Sequence, residues 1–212
     1  MKDEGYIKFK CLWSNEPIAI PGSVFRSLNL WREKLCGLSL IGMYENGIGF
    51  GNISVKNDDD SFFITGSATG GKPVLELCDY AMVDNWDFER NQLHCIGETK
   101  ASSESLTHAA IYESNNNVRS VIHVHSMCIW KNFLDKLPST GEEILFGTPE
   151  MAIGIKNLLK NKDNIRKGIV VMGGHEEGIL TFGKDLDEAG DRILKYYHQS
   201  LNRSAISNVD DK

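Results

Sequence analysis

Apolar residues recur with helical spacing in four stretches of the chain, which is typical of helices with one buried face. The first covers residues 24–44, and the second runs from about residue 102 to the "SNNN" segment. The third and fourth follow Thr148 and Asp185. The last three begin at residues that cap helices or suit their first turn, which are Ser102 or Ser103, Thr148 with Pro149, and Asp185.

Short runs of β-branched and aromatic residues lie between these stretches. "ISVK" and "SFFIT" flank the turn "NDDD" and predict a hairpin, and "DYAMVDNW", "VRSVIHVHS", "GIVVMGG" and "GILTFG" predict further strands. The segment before Pro21 is either a loose arm or an early strand. Without an internal repeat or a low-complexity linker, the pattern predicts one mixed α/β domain over residues 1–212. Its core covers about residues 24–200, after an arm at residues 1–21 and before a polar tail at residues 204–212.

Composition narrows the possible functions. The 212 residues carry a formal net charge of -6 and no basic stripe, so we expect no nucleic-acid partner. No apolar run is long enough for a membrane span, and the charged segment "MKDEGYIKFKCLW" does not resemble a signal peptide. We therefore expect a cytoplasmic protein without a membrane partner. The five scattered cysteines favour reduced thiols over disulfides.

The segment "VRSVIHVHSMC" places His123 and His125 two positions apart in a predicted strand. Their side chains share one face, with Cα atoms about 6.5–7 Å apart, so they can bind one metal ion or each be satisfied by hydrogen bonds. A catalytic zinc site usually has three protein ligands. The other histidines are His94, His108, His175 and His198. Of these, His175 lies at a glycine-framed strand end, "MGGHEEG", which favours it as a third ligand.

Glu104 precedes His108 by four residues, so both project from one face of the predicted helix. Glu104 is either a residue that favours the helix start or a general acid/base beside a metal. Three small polar loops, "GNIS", "TGSATGG" and "SSE", can together hold a phosphate through backbone N–H groups, hydroxyls and a helix N-terminus. Each loop alone is more often a turn.

The order of these motifs resembles the class II aldolase/adducin family over about residues 24–200. The motifs are Gly-Asn-Ile-Ser, Ile-Thr-Gly, Ser-Ser-Glu with a later His, His-x-His-Ser, Phe-Gly-Thr and Gly-His. The resemblance implies a three-layer α/β/α fold with a central, mostly antiparallel sheet, assembled as a homotetramer with active sites between subunits. It also implies Zn²⁺, or another divalent metal, held by His123, His125 and His175, with Glu104 as the catalytic proton shuttle. The residues that match the family's phosphate site are Gly51, Asn52, Thr65, Gly66, Ser102 and Ser103.

The implied activity is that of a metal-dependent lyase that cleaves a carbon–carbon bond of a small ketose phosphate or related hydroxy-carbonyl compound. The reaction would pass through a zinc-stabilised enediolate with Glu104 as acid/base. Alternatives are a sugar-phosphate epimerase or dehydratase of the same family, or a non-catalytic, adducin-like binding module. Glu104 favours cleavage or dehydration, because the family's epimerases tend to have Asp at this position.

Two departures from the family pattern concern the site. In "GHEEGILTFG" two glutamates separate His175 from Gly178, and an ungapped alignment on Gly183 puts Glu177 at the ligand position. We prefer His175 because imidazole is the commoner zinc partner of a His-x-His pair. The segment "GEEILFGT" also lacks the tyrosine that often precedes Phe-Gly-Thr in the family's aldolases, so the proton donor to the aldehyde oxygen would be another group.

Overall fold

The computed structural model describes residues 7–210, with the side chains of residues 7–202. The strands are β1 (Lys10–Ser14), β2 (Gly42–Met43), β3 (Gly49–Phe50), β4 (Asn52–Lys56), β5 (Phe62–Thr65), β6 (Tyr80–Asp87), β7 (Gln92–Ile96), β8 (Ser120–His125), β9 (Ile169–Val171) and β10 (Gly178–Gly183). The helices are α1 (Gly22–Gly37), α2 (Ser105–Ser114), α3 (Met127–Phe133), α4 (Pro149–Leu158), α5 (Lys162–Lys167) and α6 (Leu186–Asp210), with a short 3-10 helix at Leu77–Asp79.

Eight strands form one sheet in the order β1-β7-β6-β5-β4-β8-β10-β9, while β2 and β3 pair separately. Neighbouring strands run antiparallel except for β1 and β7, which are parallel. The expectation of a mostly antiparallel central sheet is therefore confirmed. All six residues of β8 are buried between β4 and β10, so this strand holds His123 and His125 at the centre of the fold.

Helices cover both faces of the sheet. One apolar cluster joins the sheet to α2 and α4 and includes Val121 and Ala109. The other joins it to α1, α3 and α6 and includes Ile122, Leu28 and Ile193. The predicted three-layer α/β/α architecture is confirmed. Because side chains alternate along a strand, His123 and His125 share the face of Val121, the side covered by α2.

Several local predictions are confirmed. The hairpin around "NDDD" is β4 and β5. Of the two alternatives for the segment before Pro21, the structure shows a strand, β1, in place of a loose arm over residues 10–14. Thr148 caps α4 by accepting a hydrogen bond from the backbone N of Met151 at 3.3 Å, with Pro149 next to it in the first turn. Asp185 caps α6 by accepting from the backbone N of Glu188 at 2.8 Å. Short polar side chains at these positions satisfy backbone N–H groups that the helix itself leaves unpaired.

The predicted helix at residues 24–44 is too long, because α1 ends at Gly37. Ser39 adopts a positive φ of 56°, and the backbone N of Leu40 donates to Leu35 O at 2.9 Å. The backbone N of Ser39 also donates to Cys36 O at 2.9 Å. This pair of bonds is a Schellman motif that closes the helix although the apolar spacing continues beyond it.

The predicted cap at Ser102 or Ser103 is wrong. The residue that precedes the first turn of α2 is Glu104, and no side chain caps this helix. The backbone N of Ser105 and its hydroxyl both bond to Ser102 O, at 3.1 and 2.7 Å. The carbonyl of Ser102, rather than its hydroxyl, therefore anchors the start of α2, and the hydroxyls of both serines remain available to the neighbouring pocket.

The structure also contains elements that the sequence pattern did not predict. They are β7, α3 and α5. In addition, α6 extends to Asp210, through most of the expected polar tail. The cysteines are free thiols, with Cys11 Sγ and Cys95 Sγ 3.6 Å apart across β1 and β7. Among the helices of the described residues, none is long and apolar enough to cross a membrane.

Candidate active site

Three histidines converge at the end of β8. His123 and His125 lie on that strand, and His175 lies in the turn between β9 and β10. Each offers one ring nitrogen, and these atoms all lie within 4.8 Å of one another. The Nε2 atoms of His123 and His125 are 3.1 Å apart, so the two strand histidines meet through these nitrogens. All three rings are buried, which separates the cluster from bulk water.

The donor set fits a divalent metal of the zinc type. Burial first, and then the neighbouring His125 and His175, hold the pKa of His123 well below its usual range. A neutral imidazole is the form that binds a metal. Three imidazoles that meet in a buried space match the protein ligands of a catalytic zinc site, which leaves a further position open.

The remaining histidines lie elsewhere in the described chain. His94 Nδ1 is 2.5 Å from Asp84 Oδ1 at the sheet surface, and the ring of His198 lies beside that of Tyr197 on α6. His108 is a buried residue of α2 that faces the sheet. Of the four histidines that the sequence offered as a third ligand, the structure therefore brings His175 to the His-x-His pair.

Glu177 lies behind His125 and outside the cluster. Its Oε2 accepts a hydrogen bond from Tyr44 OH at 2.6 Å and is 3.9 Å from His125 Nδ1, the nitrogen that faces away from His123. The geometry favours His175 over Glu177 as the third ligand. Tyr44 was not a sequence-predicted site residue, because it sits in the irregular segment before the glycine-rich loop and carries no motif.

Contacts around the cluster orient each ring. His123 Nδ1 is 3.2 Å from Ile179 O, and His125 Nδ1 is 2.8 Å from Tyr44 OH. The ring of His175 stacks on Phe146 with centroids 4.3 Å apart, and Lys8 Nζ lies 3.5 Å from the Phe146 centroid. Phe146 is the aromatic residue of the Phe-Gly-Thr motif. In this structure it stacks on the ring of His175 and supports its orientation.

A small polar pocket of about 30 Å³ adjoins His123 and Glu104. Its other lining residues come from three segments of the chain and are Gly49, Phe50, Gly51, Asn52, Gly66, Ser67, Ala68, Thr69, Gly70, Ser102 and Ser103. Five of the six residues matched to a phosphate site are among them. Thr65 is the exception, since its hydroxyl accepts a hydrogen bond from the backbone N of Ile53 at 3.3 Å within the sheet.

Two residues of this pocket carry clear structural signals. Asn52 is 4% exposed, and its Oδ1 has no hydrogen-bond partner within the described chain. Gly51 has a φ of +76°, and a Cβ there would lie 2.7 Å from Ile41 Cγ1 and 3.1 Å from His123 O. Only glycine lets the backbone approach the histidine strand this closely in that conformation.

Glu104 combines burial with a fixed orientation. It is 2% exposed, and Thr107 Oγ1 donates to its Oε2 at 2.7 Å. Its place before the first turn of α2, beside His123 in the pocket lining, puts a carboxylate next to the histidine cluster. Such a group can accept or donate a proton at a ligand held in the pocket.

A second buried network fixes α2 to the sheet. Ser54 Oγ on β4 lies 2.7 Å from His108 Nδ1 and 2.6 Å from Tyr112 OH, both on α2. Burial lowers the pKa of His108 to about 3, so this ring is neutral near pH 7. His108 is thus a structural residue of the helix that begins next to Glu104.

Comparisons with known proteins agree on one family. The family model of the class II aldolase and adducin N-terminal domain matches residues 43–198. A curated relative, the L-fuculose phosphate aldolase of Methanococcus maripaludis strain C5, is 30% identical over 171 residues, covering 74% of this chain and 84% of its own. The 3-oxo-tetronate 4-phosphate decarboxylase of Haemophilus influenzae is 33% identical over 88 residues, covering 39% of this chain and 38% of its own.

Solved structures share the fold. The L-fuculose-1-phosphate aldolase of Thermus thermophilus superposes with a TM-score of 0.65 at 18% identity. The match covers 90% of this chain and 97% of the other. At this identity, the likeness supports the architecture of the sheet and helices.

Proposed function

Because the chain belongs to the class II aldolase and adducin family, we propose that it is a metal-dependent lyase that cleaves a carbon–carbon bond. Its substrate would be a small ketose phosphate or a related hydroxy-carbonyl compound. The observation that carries the proposal is the convergence of three buried histidines beside a buried Glu104, at one end of a polar pocket. An adducin-like binding module would have no need to keep this set together.

His123, His125 and His175 would hold the metal ion, with zinc as the first choice for three imidazoles. When bound, the ion would supply a Lewis acid that polarises the substrate's carbonyl and adjacent hydroxyl. The three side chains come from a central strand and a tight turn, so their spacing depends little on mobile segments. Rigid ligands of this kind favour one coordination geometry.

The pocket would hold the phosphate through neutral groups. The side chains of Asn52, Ser102 and Ser103 and the backbone N–H of Gly51 offer hydrogen-bond donors, and no Lys or Arg is among its lining residues in the described chain. The backbone N of Gly66 already donates to Asp79 O at 2.7 Å, so Gly66 would contribute by leaving room for the phosphate. The start of α2 adds the positive end of a helix dipole. Binding energy from the phosphate would position the carbons that react.

Glu104 would move the proton. Cleavage of the bond turns a hydroxyl into the aldehyde carbonyl with loss of its proton, and it leaves the electron pair on the carbon of the phosphate-bearing fragment. A proton must then be delivered to this carbon before release, so that none is gained or lost overall. The carboxylate of Glu104 lies in the same pocket and is oriented by Thr107. A carboxyl group held this way can deliver the proton and, in the reverse direction, remove it.

The test begins with metal content. Wild-type protein from zinc-replete cells should contain one divalent ion per chain, and His123→Ala and His125→Ala should contain far less. A panel of ketose 1-phosphates that includes fuculose 1-phosphate should then release an aldehyde. A wild-type protein without stoichiometric metal, or a metal-loaded protein that releases no aldehyde from any member of the panel, would contradict the proposal.

The decarboxylase relative supports a second candidate, the decarboxylation of a phosphorylated 3-oxo acid. Loss of CO₂ leaves an electron pair on carbon just as loss of an aldehyde does, so the same pocket and Glu104 would serve. Release of CO₂ from such an acid, without aldehyde release from ketose phosphates, would select this candidate. A product that keeps all its carbons would instead indicate an epimerase or a dehydratase.

We also propose a homotetramer with the active site near a subunit boundary, as the family resemblance implies. Light scattering on the purified protein gives the mass directly. A monomeric mass at working concentration would exclude the tetramer.

A further inference from the structure

Tyr44 lies between His125 and a carboxylate. Its hydroxyl is 2.8 Å from His125 Nδ1 and 2.6 Å from Glu177 Oε2, while the carboxylate itself remains 3.9 Å from the imidazole nitrogen. We propose that Tyr44 and Glu177 are positioning residues that hold His125 in the tautomer that presents Nε2 to a metal. The inference rests on the proposed metal centre and deepens it.

The direction of the hydrogen bonds follows from the number of protons. Glu177 as a carboxylate only accepts, so the single proton of the Tyr44 hydroxyl points to it. The phenolic oxygen is then an acceptor, and the group that donates to it is Nδ1–H of His125. A neutral imidazole with its proton on Nδ1 has its lone pair on Nε2. Nε2 is the nitrogen that faces His123 in the cluster.

This support is specific to His125. For His123, Nδ1 faces the backbone carbonyl of Ile179, which no substitution of a side chain removes. His125 depends instead on two side chains from separate parts of the chain. A carboxylate that acts on a ligand histidine is a recurrent device in metal sites, and here a tyrosine stands between the two groups.

The backbone around Glu177 is shaped to hold its carboxylate there. Glu177 has a positive φ of 69°, a conformation that costs energy for a residue with a side chain. The backbone N of Ser126 donates to Glu177 O at 2.9 Å, and the backbone N of Gly178 donates to His175 O at 2.8 Å. The turn therefore directs His175 into the cluster and Glu177 behind it.

The backbone and the ring of Tyr44 are also held in place. Its backbone N donates to Ile48 O at 2.8 Å in the turn between β2 and β3, and its ring packs on Phe50 with centroids 4.4 Å apart. Tyr44→Phe would keep this packing and remove the acceptor for Nδ1–H. Glu177→Gln would let an amide N–H donate to the phenolic oxygen, which frees the tyrosine proton to point at Nδ1.

The experiment measures zinc affinity by competition with a chelator for the wild type, Tyr44→Phe, Glu177→Gln and the double variant. Each single variant should bind zinc about 10–100-fold more weakly. The double variant should bind like Tyr44→Phe alone, because Glu177 acts only through Tyr44. Glu176→Gln is the matched control, since this neighbouring glutamate is exposed, and it should bind like the wild type.

A second readout is the tautomer of His125 in the metal-free full chain, from ¹⁵N chemical shifts of the imidazole. The wild type should carry the proton on Nδ1, and Tyr44→Phe should shift the population toward Nε2–H. A merely structural tyrosine would leave this ratio unchanged. A wild-type ring protonated on Nε2 would overturn the inference even if a variant failed to fold.

The outcomes separate this inference from the proposed function. A wild type that binds no zinc refutes the metal centre itself. A wild type that binds zinc together with single variants that bind equally well refutes only the positioning role. If Glu177→Gln weakens binding as much in the Tyr44→Phe background as in the wild type, Glu177 acts on the metal site directly, and the inference is wrong.

Discussion

Removal of one hydroxyl, in Ser54→Ala, should destabilise the protein strongly. Ser54, His108 and Tyr112 are all 0% exposed, and Ser54 Oγ bonds to both other side chains. His108 Nε2 has no hydrogen-bond partner within the described chain, so Ser54 is the partner that the structure gives this ring. Alanine at position 54 would leave the imidazole buried without a hydrogen bond.

The magnitude follows from the groups left unpaired. An unsatisfied buried nitrogen on His108 costs about 1–3 kcal/mol. Tyr112 also loses its bond to Ser54, which adds about 1 kcal/mol. Ser54→Ala should therefore lower the free energy of unfolding by about 2–4 kcal/mol. Tyr112→Phe removes a hydroxyl but keeps the bond between Ser54 and His108, so its loss should be about 1 kcal/mol.

Urea denaturation at pH 7 measures both losses, with metal-loaded protein throughout. Ser23→Ala is the control, because Ser23 is exposed in the first turn of α1 and should change stability by less than about 0.5 kcal/mol. A loss for Ser54→Ala no larger than that of Ser23→Ala would refute the reasoning. Equal losses for Ser54→Ala and Tyr112→Phe would also refute it, because the histidine would then contribute nothing.

Four further predictions concern pH, backbone, catalysis and metal. Burial lowers the pKa of His108 from 6.5 to about 3. Between pH 6.5 and about pH 3, this histidine is therefore protonated in the unfolded chain but neutral in the folded protein. The free energy of unfolding should thus fall as the pH drops below about 6.5, and the slope should decrease in His108→Gln, as urea titrations at several pH values would measure. Gly51→Ala should lose about 1–3 kcal/mol in thermal unfolding, since its Cβ would meet Ile41 at 2.7 Å, whereas Gly37→Ala, with open space around the added atom, should not. Glu104→Gln should lower the rate of aldehyde release at least about 100-fold with its metal content unchanged. Removal of zinc by a chelator should lower the melting temperature, because the ion binds the folded state, and re-addition should restore it.

The parts of the fold that the sequence predicted correctly depend on local chemistry. Thr148 and Asp185 cap helices because their side chains reach backbone N–H groups three residues on. The "NDDD" hairpin forms because its flanking runs are β-formers on both sides of a turn. Such signals lie within a few residues of the structure that they specify.

The errors arise where long-range packing decides the outcome. The end of α1 depends on Ser39 in the left-handed region and on the burial of Leu40, although the apolar spacing continues past both. β7 has a mixed pattern because its inner residues, Leu93 and Cys95, are buried while its other positions remain partly exposed. It pairs with β1, which lies near the start of the sequence, and the local spacing of apolar residues cannot predict such a long-range pairing.

In the candidate site, too, some residues were predictable from local spacing and others depend on a turn that the spacing does not specify. A period of two placed His123 and His125 on one face, and the structure brings their rings together. Whether His175 or Glu177 joins them depends on the turn between β9 and β10. An ungapped alignment on Gly183 favours the glutamate. A turn can reverse the side to which a residue points through a single positive φ, and Glu177 has one. In the structure the two extra residues leave His175 beside His123 and His125. These residues put the histidine further upstream than in the family motif, and they let Glu177 reach Tyr44. The departure from the motif therefore explains why Tyr44 and Glu177 meet behind His125.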